Sequence, residues 1–230
     1  MIRTETIAVR RTALVASLGP EPGPGVRALW YILHGQAMRA AAFLDTARAL
    51  DDGARLLVAP EALNRHYVGE VTADRSIPVG ATWMTREERE GEIRDYVAYL
   101  DDVHARDVER LGAAPPAVTI LGFSQGGATG VRWAAAGRVR VAHLIVWASS
   151  LPPEVDYAAL YAKQGKPRVT YVAGTKDIYI TAKVLAAQHR ILADAGVPFE
   201  TVAFEGGHRL DDVTLRAVAS RQLAGESGGR

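Results

Sequence analysis

A serine between two glycines stands at the centre of the pentapeptide Gly-Phe-Ser-Gln-Gly, residues 122–126. A serine hydroxyl attacks a carbonyl carbon only when a neighbouring base accepts its proton, so this residue needs partners elsewhere in the chain. The apolar, β-rich run 117–121 precedes the pentapeptide, and the helix-compatible stretch 128–136 follows it. A sharp turn from strand to helix exposes a serine at a helix N-terminus, and Ser124 is therefore the predicted nucleophile.

Two other structures could produce the same pentapeptide. The first is an unreactive serine in a glycine-rich loop, which the strand pattern before it and the helix pattern after it disfavour. The second is a phosphate-binding loop, which needs Lys followed by Ser or Thr, whereas Ala128-Thr129 follow the glycines here. The sharp turn also accounts for Gly122 and Gly126, because side chains two residues on either side of the serine would collide.

Three histidines follow the serine and could act as its base: His143, His189 and His208. His143 lies within an apolar run and is interpreted as a packing residue, and His189 lies in the middle of a surface helix. His208 follows the predicted strand 199–204 through the flexible turn Glu-Gly-Gly. Because catalytic groups collect at the carboxyl ends of parallel strands, His208 is the predicted base.

A carboxylate is needed to orient the imidazole and to stabilise the imidazolium. Asp177 follows the predicted strand 169–173 through Gly-Thr-Lys and precedes His208, as the chain order serine, acid, histidine requires. Asp211 and Asp212 are competing candidates, but their position suits the first turn of a helix. Asp177 is therefore the predicted acid.

Negative charge that develops on the carbonyl oxygen needs two backbone N–H donors. One is expected from Gln125, the residue after the predicted nucleophile. The other is expected from the loop after strand 29–33, where Gly35 permits a tight turn and the Gln36 N–H is the better candidate. His34 is interpreted as a core or loop-supporting residue without a chemical role.

Short apolar runs alternate with helical patterns along the chain, and the runs are apolar on consecutive residues, as in strands buried on both faces. The predicted strands are 29–33, 55–59, 117–121, 142–147, 169–173 and 199–204. One helix is expected to begin at a capping box at 85–88, another to span 181–195, and the segment 4–18 to supply one or two antiparallel edge strands. This order predicts an α/β fold with a mostly parallel central sheet and helices on both faces.

The amino-acid composition limits which reactions the protein can catalyse and which classes of partner it can bind. The chain has 230 residues, of which 48% are apolar and 23% charged; it has no cysteine and a formal net charge of +1. Disulfides, a thiolate nucleophile and cysteine-ligated metals are excluded, and the charge does not indicate nucleic acid binding. One domain is expected over 1–230, with 224–230 as a flexible tail. No signal peptide and no membrane-spanning apolar run is recognised, which predicts a cytoplasmic protein.

Four motifs together resemble the phospholipase/carboxylesterase family of α/β-hydrolases, which includes the acyl-protein thioesterases. They are Gly-Phe-Ser-Gln-Gly-Gly at 122–127, His-Gly at 34–35, Gly-x-x-Asp at 174–177 and Gly-Gly-His at 206–208. The resemblance extends over about residues 28–222. It implies the α/β-hydrolase fold with a triad and an oxyanion hole, and the residues carried over are Ser124, Asp177, His208, Gln36 and Gln125.

Two loops depart from the family's pattern. The family continues His-Gly with an apolar residue, Gly and Asp, whereas residues 36–38 here are Gln-Ala-Met. The loop after the acid carries Val-Val-Pro-like residues in the family, whereas residues 178–180 here are Ile-Tyr-Ile. The fold and the nucleophile are unaffected by these changes, but they remove the basis for choosing a substrate within the family.

The segment 60–85 is long, bears aromatic residues and has little periodicity, which is typical of a loop that crosses strand ends near a substrate. Trp83 resembles the family's loop tryptophan beside the active site, and packing of this side chain onto the domain is an equally open interpretation. Tyr179, in the loop after Asp177, is the second candidate for lining a substrate site.

These residues predict a serine hydrolase that cleaves carboxylic esters of small or medium acyl groups through an acyl-enzyme, without a cofactor or a metal. Neither a His-Glu-x-x-His sequence nor a Gly-x-Gly-x-x-Gly fingerprint occurs. The alternatives are an acyl thioesterase or lysophospholipase-type activity, and a non-catalytic binding protein on the same fold. The expected partner is a small-molecule ester, with no nucleic acid and no membrane span, and a homodimer is left open.

Overall fold

The computed structural model describes residues 1–70, 77–112 and 116–226, with side chains described as far as residue 220. Within these ranges seven strands form one sheet, in the order β1-β3-β2-β6-β7-β8-β9, and two more form a hairpin. The strands are β1 Val15–Leu18, β2 Ala28–Leu33, β3 Arg55–Pro60, β4 Asn64–Tyr67, β5 Val79–Thr82, β6 Val118–Phe123, β7 His143–Trp147, β8 Arg168–Gly174 and β9 Glu200–Phe204.

The large sheet is parallel except at β1, which runs antiparallel to β3. The mostly parallel α/β sheet predicted from the sequence is confirmed, and each of the six predicted strands lies within two residues of its expected bounds. Strands β3 and β6 are buried at every position, which explains why they are apolar on consecutive residues. Of the segment 4–18, only Val15–Leu18 forms an edge strand.

Six helices and one short 3-10 turn accompany the sheet in the described part of the chain. They are α1 Ala40–Thr46, the 3-10 turn Arg48–Leu50, α2 Arg89–Leu111, α3 Gln125–Ala136, α4 Tyr157–Lys163, α5 Ala182–Asp194 and α6 Asp212–Glu226. Helix α5 lies within one residue of its predicted bounds at each end, with a Thr181 cap before it and Gly196 at φ 65° after it. Of the predicted tail, 224–226 continue α6, and 227–230 lie outside the described residues. None of these helices is long and apolar enough to cross a membrane.

The capping box predicted at 85–88 is wrong. Helix α2 begins at Arg89, and Glu88 before it has φ 48° and makes no capping hydrogen bond with its side chain. The Thr85 N–H donates instead to Glu92 Oε2 at 2.5 Å. The threonine and a glutamate of the first helical turn are therefore paired at a spacing of seven residues, because the chain makes one further turn between them.

The sheet brings the loops after five of its strands to one edge. Strands β2, β6, β7, β8 and β9 are parallel neighbours, so the residues that follow their carboxyl ends are adjacent in space. The register pairs Leu33 with Gly122, and Gly174 with Phe204. The segments after β2 and β6 begin with His34 and Ser124, and the loops after β8 and β9 are 175–180 and 205–208. Ser124 and the last two loops contain all the predicted catalytic residues.

Candidate active site

Ser124 stands between β6 and α3, where the chain turns sharply from strand to helix. Its backbone has φ 52° and ψ −122°, a conformation that residues with a β-carbon rarely adopt. The Ser124 N–H donates to Trp147 O at 2.9 Å, which ties the turn to the end of β7. A β-carbon at Gly122 would lie 2.2 Å from Gly126 O, and one at Gly126 would lie 2.2 Å from Leu33 O, so neither position has room for a side chain.

His208 and Asp177 are hydrogen-bonded, with His208 Nδ1 2.8 Å from Asp177 Oδ2. The Oδ1 atom of the carboxylate accepts the N–H groups of Tyr179 and Ile180 at 2.8 and 2.9 Å. Burial raises the pKa of Asp177, but the hydrogen bonds from Ile180, His208 and Tyr179 outweigh it and hold the pKa below its usual value. An ionised carboxylate can only accept, so Nδ1 of His208 carries the proton and Nε2 keeps a free lone pair.

Two aromatic rings flank the His208 imidazole. The Phe123 ring lies 4.8 Å away in a tilted arrangement, and the Tyr179 ring lies 4.7 Å away edge-on, measured between ring centroids. Phe123 ends β6 immediately before the serine, and Tyr179 belongs to the loop that also carries Asp177. Aromatic rings from the two elements that supply the other members of the predicted triad therefore contact the imidazole.

An open cavity of about 600 Å³ lies over this edge of the sheet. Ser124 and His208 both line it. The remaining lining residues are Gly35, Gln36, Ala37, Met38, Phe123, Gln125, Ala128, Ala148, Ser149, Ser150, Tyr179 and Ile180. In the described part of the chain no hydrogen bond joins Ser124 Oγ to His208. Catalytic hydrogen bonds of this kind are often long without substrate and tighten in the enzyme–substrate complex.

The two residues predicted to donate to an oxyanion lie at this cavity. Gln125 is the first residue of α3, and Gln36 belongs to the loop after β2. Ala37 in that loop has φ 61°, in the left-handed region, so the chain reverses directly after Gln36. One cavity thus contains the serine, the histidine and both predicted donors.

Trp83 is not a lining residue, which corrects its prediction as a substrate contact. Its side chain is 1% exposed, and its indole N–H donates to His34 O at 2.9 Å. The packing interpretation that the sequence left open is the one observed. Tyr179, the other candidate, lines the cavity and is 64% exposed.

Two of the other candidates, His143 and Asp211, have hydrogen-bond partners outside the His208–Asp177 pair. His143 is buried with Nε2 2.8 Å from Thr170 Oγ1, and burial, reinforced by nearby Arg168, lowers its pKa to about 3, so it is a neutral packing residue. Asp211 accepts the Thr214 N–H at 3.0 Å at the start of α6. Among the described residues, no group of three or more His, Asp and Glu side chains is arranged to hold a metal ion.

Sequence reasoning missed residues 148–150, which line the cavity beside Ser124. They follow β7 directly, and Ala148 has φ 49°, so the chain turns at the end of the strand. Tyr171 holds this turn because its hydroxyl donates to Ser149 O. Their position immediately after a central parallel strand was the available signal, since the loops after the neighbouring strands had all been assigned to the site.

Residues 51–210, more than half of the chain, match the family described as serine hydrolase (FSH1). The matched range contains Ser124, Asp177 and His208. No protein with a curated description matches the chain.

Three solved structures illustrate the fold that the chain shares. Esterase PE8 superposes with a TM-score of 0.68 at 18% identity, over 93% of this chain and 99% of the esterase. Zea mays acyl-protein thioesterase 2 gives a TM-score of 0.68 at 14% identity, over 93% and 99%. A phospholipase/carboxylesterase from Dyadobacter fermentans gives 0.65 at 17% identity, over 94% and 99%. These superpositions confirm the α/β-hydrolase fold that the motifs led us to expect.

Proposed function

The chain belongs to the serine hydrolase (FSH1) family, and from that premise we propose that it cleaves carboxylic esters with Ser124 as nucleophile, His208 as base and Asp177 as acid. The observation that carries the proposal is the 2.8 Å hydrogen bond between His208 and Asp177 at a cavity that Ser124 also lines. The tautomer that this bond selects leaves His208 Nε2 able to accept a proton, which is what a base for serine requires.

In the acylation step, His208 Nε2 takes the proton from Ser124 Oγ as this oxygen bonds to the acyl carbon. The carbonyl oxygen becomes negatively charged and is stabilised by the N–H groups of Gln36 and Gln125. Asp177 stabilises the imidazolium that forms. When the tetrahedral intermediate collapses, the bond to the alcohol oxygen breaks, and the departing alcohol takes the proton from His208.

In the deacylation step, water occupies the place that the alcohol has left. His208 Nε2 takes a proton from this water, and the water oxygen attacks the acyl carbon of the Ser124 ester. Collapse of the second intermediate releases a carboxylic acid and returns the proton to Ser124 Oγ. The cycle consumes one ester and one water, and each proton transfer passes through the same imidazole nitrogen.

The proposed substrates are esters of small or medium acyl groups. A cavity of about 600 Å³ falls within the usual range for small-molecule sites, and its lining combines apolar groups such as Met38 with the polar groups of Ser149 and Ser150. A panel of aryl esters of graded acyl length, with thioesters of the same acids beside them, measures this preference. We expect kcat/KM to fall once the acyl chain exceeds the cavity.

Covalent labelling tests the proposed nucleophile. We expect a fluorophosphonate to react with the folded protein by losing fluoride and bonding to Ser124 Oγ, because this class of reagent needs a base-activated serine. Mass spectrometry should find one added phosphonyl group, on the peptide that contains Ser124, and none on the Ser124→Ala variant. A folded protein that resists the reagent would instead be a binding protein on a hydrolase fold.

Tyr179 is expected to contact the leaving group. The alcohol must depart next to His208 Nε2 to receive its proton, and the Tyr179 ring packs on that imidazole while remaining 64% exposed. Tyr179→Ala should lower kcat/KM for a phenyl ester by roughly 2- to 10-fold relative to the methyl ester of the same acid, since one aromatic contact is lost. The measurement is the ratio of kcat/KM for the two esters.

A neighbouring residue provides the control for this effect. Ile178 is 75% exposed and does not line the cavity, so Ile178→Ala should leave the phenyl-to-methyl ratio unchanged. The alcohol has already departed before deacylation, so the deacylation rate should also be unchanged in Tyr179→Ala. This rate is measured with esters that share one acid. An equal loss in deacylation would mean that Tyr179 only holds the imidazole in place.

A further inference from the structure

We propose that residues 80–84, the end of β5 and the turn after it, form a brace that holds the two oxyanion donors, the Gln36 and Gln125 N–H groups, at a fixed separation. This inference rests on the serine hydrolase function proposed above and adds positioning residues to it. The brace comes from the β4–β5 hairpin, which is not part of the large sheet. None of the brace residues lines the cavity, so they affect the reaction only by positioning Gln36 and Gln125.

Both polar atoms of the Gln125 side chain are hydrogen-bonded to the brace. Gln125 Oε1 accepts the Thr82 hydroxyl at 2.8 Å and the Trp83 N–H at 2.9 Å. Gln125 Nε2 donates to Met84 O at 2.8 Å. Gln125 is the first residue of α3, so its own backbone N–H has no partner within the helix and points out of the helix end. Three hydrogen bonds to its side chain hold this residue, and with it the direction of that N–H.

The same segment holds the loop that carries Gln36. The Trp83 indole N–H donates to His34 O at 2.9 Å, and the Trp83 and His34 rings pack 5.1 Å apart. The Ala81 N–H donates to Met38 O at 3.0 Å. Gly80 lies so close to this loop that a β-carbon there would come within 2.4 Å of Ala37 O.

His34 completes this support from the other side. Its Nε2 accepts the Ala62 N–H at 3.0 Å, so Nδ1 carries the proton and donates to Gly35 O at 2.8 Å. Residues on both sides of Gln36 are therefore bonded to neighbours that do not touch the cavity. The loop is held at His34 and Gly35 before the donor and at Met38 after it.

Trp83 joins the two halves, because its backbone N–H binds the Gln125 side chain and its indole N–H binds His34 O. An oxyanion hole lowers the barrier only when both donors are already aimed at the developing charge. Loosening the brace should therefore weaken binding of the transition state and leave binding of the ground-state ester almost unchanged.

The test uses two variants that each remove one side-chain donor of the brace. Trp83→Phe keeps the buried ring and the backbone N–H but removes the indole N–H, and Thr82→Val removes the hydroxyl that binds Gln125. We expect kcat to fall by roughly 10- to 100-fold in each with little change in KM, because small displacements of catalytic groups cost rates of this size. Affinity for a trifluoromethyl ketone, whose adduct with Ser124 carries the same oxyanion, should fall by a similar factor.

Trp133→Phe is the matched control. Trp133 is also fully buried in the core, and its indole N–H donates to Asp101 Oδ1 at 2.9 Å, near the other end of α3. This variant should lose thermal stability to a similar degree as Trp83→Phe and keep the wild-type kcat and ketone affinity. The kcat of Trp83→Phe should stay low even when the assay temperature is well below the Tm of this variant.

The inference is overturned if Trp83→Phe and Thr82→Val keep the wild-type kcat, if only KM rises, or if kcat falls without a matching loss of ketone affinity. It is also overturned if Trp133→Phe loses as much kcat as Trp83→Phe, since the effect would then follow general stability. Failure of the proposed function has a different signature, because the wild-type protein itself would then neither hydrolyse esters nor react with the fluorophosphonate.

Discussion

Replacing Ser124 by alanine is expected to lower ester turnover by about 10⁴-fold or more, because the variant has no oxygen with which to form the acyl-enzyme. The fold should persist. The backbone at this position has φ 52°, and alanine, which has a β-carbon like serine, occupies that conformation at a similar cost. A small residual rate is expected from the Gln36 and Gln125 donors, which do not depend on the hydroxyl.

The measurement is the initial rate at a saturating ester concentration, together with the Tm of each variant. Ser17→Ala serves as the control, because Ser17 is an exposed serine on the edge strand β1 and should retain the wild-type rate. A folded Ser124→Ala variant that turns over esters at near wild-type rates would show that another group attacks the carbonyl.

The strands of the sheet were predictable because each can be recognised from the apolar pattern of its own residues. Strands buried on both faces, such as β3 and β6, must be apolar at consecutive positions, and this is visible without knowledge of any neighbour. The parallel order then places the residues after each strand at one edge, which is why Asp177 and His208 could be chosen from their positions alone. The structure brings these two side chains to within 2.8 Å of each other.

The brace around the oxyanion donors was not predictable in the same way. The bond from Trp83 to His34 joins residues 49 apart in the chain, and it depends on a hairpin whose strands are short and mostly polar or small. Aromatic residues in a long loop are compatible with lining a cavity or with packing beneath it, and only the tertiary contacts decide between the two. The capping box failed for a related reason, since Thr85 pairs with Glu92 across an additional turn.

Replacing Asp177 by asparagine is expected to lower turnover by about 10⁴-fold while the fold is preserved. Oδ1 of residue 177 accepts two backbone N–H groups, from Tyr179 and Ile180, and the asparagine oxygen should keep that place. The amide nitrogen would then face His208 Nδ1, where the carboxylate oxygen had been. Because the amide nitrogen donates, Nδ1 must accept, the proton moves to Nε2, and the imidazole can no longer take a proton from Ser124.

Asp211→Asn is the matched control, because it makes the same change three residues after His208. Asp211 Oδ2 accepts the N–H and the hydroxyl of Thr214 at 3.0 and 2.7 Å, and an asparagine oxygen can cap the helix in the same way. Loss of its charge at the start of α6 should cost about 0.3–1 kcal/mol of stability and leave turnover nearly unchanged. Both variants are compared at one saturating ester concentration. If Asp211→Asn abolishes turnover while Asp177→Asn stays active, the acid lies after the histidine, and the 2.8 Å contact between His208 and Asp177 has no part in the reaction.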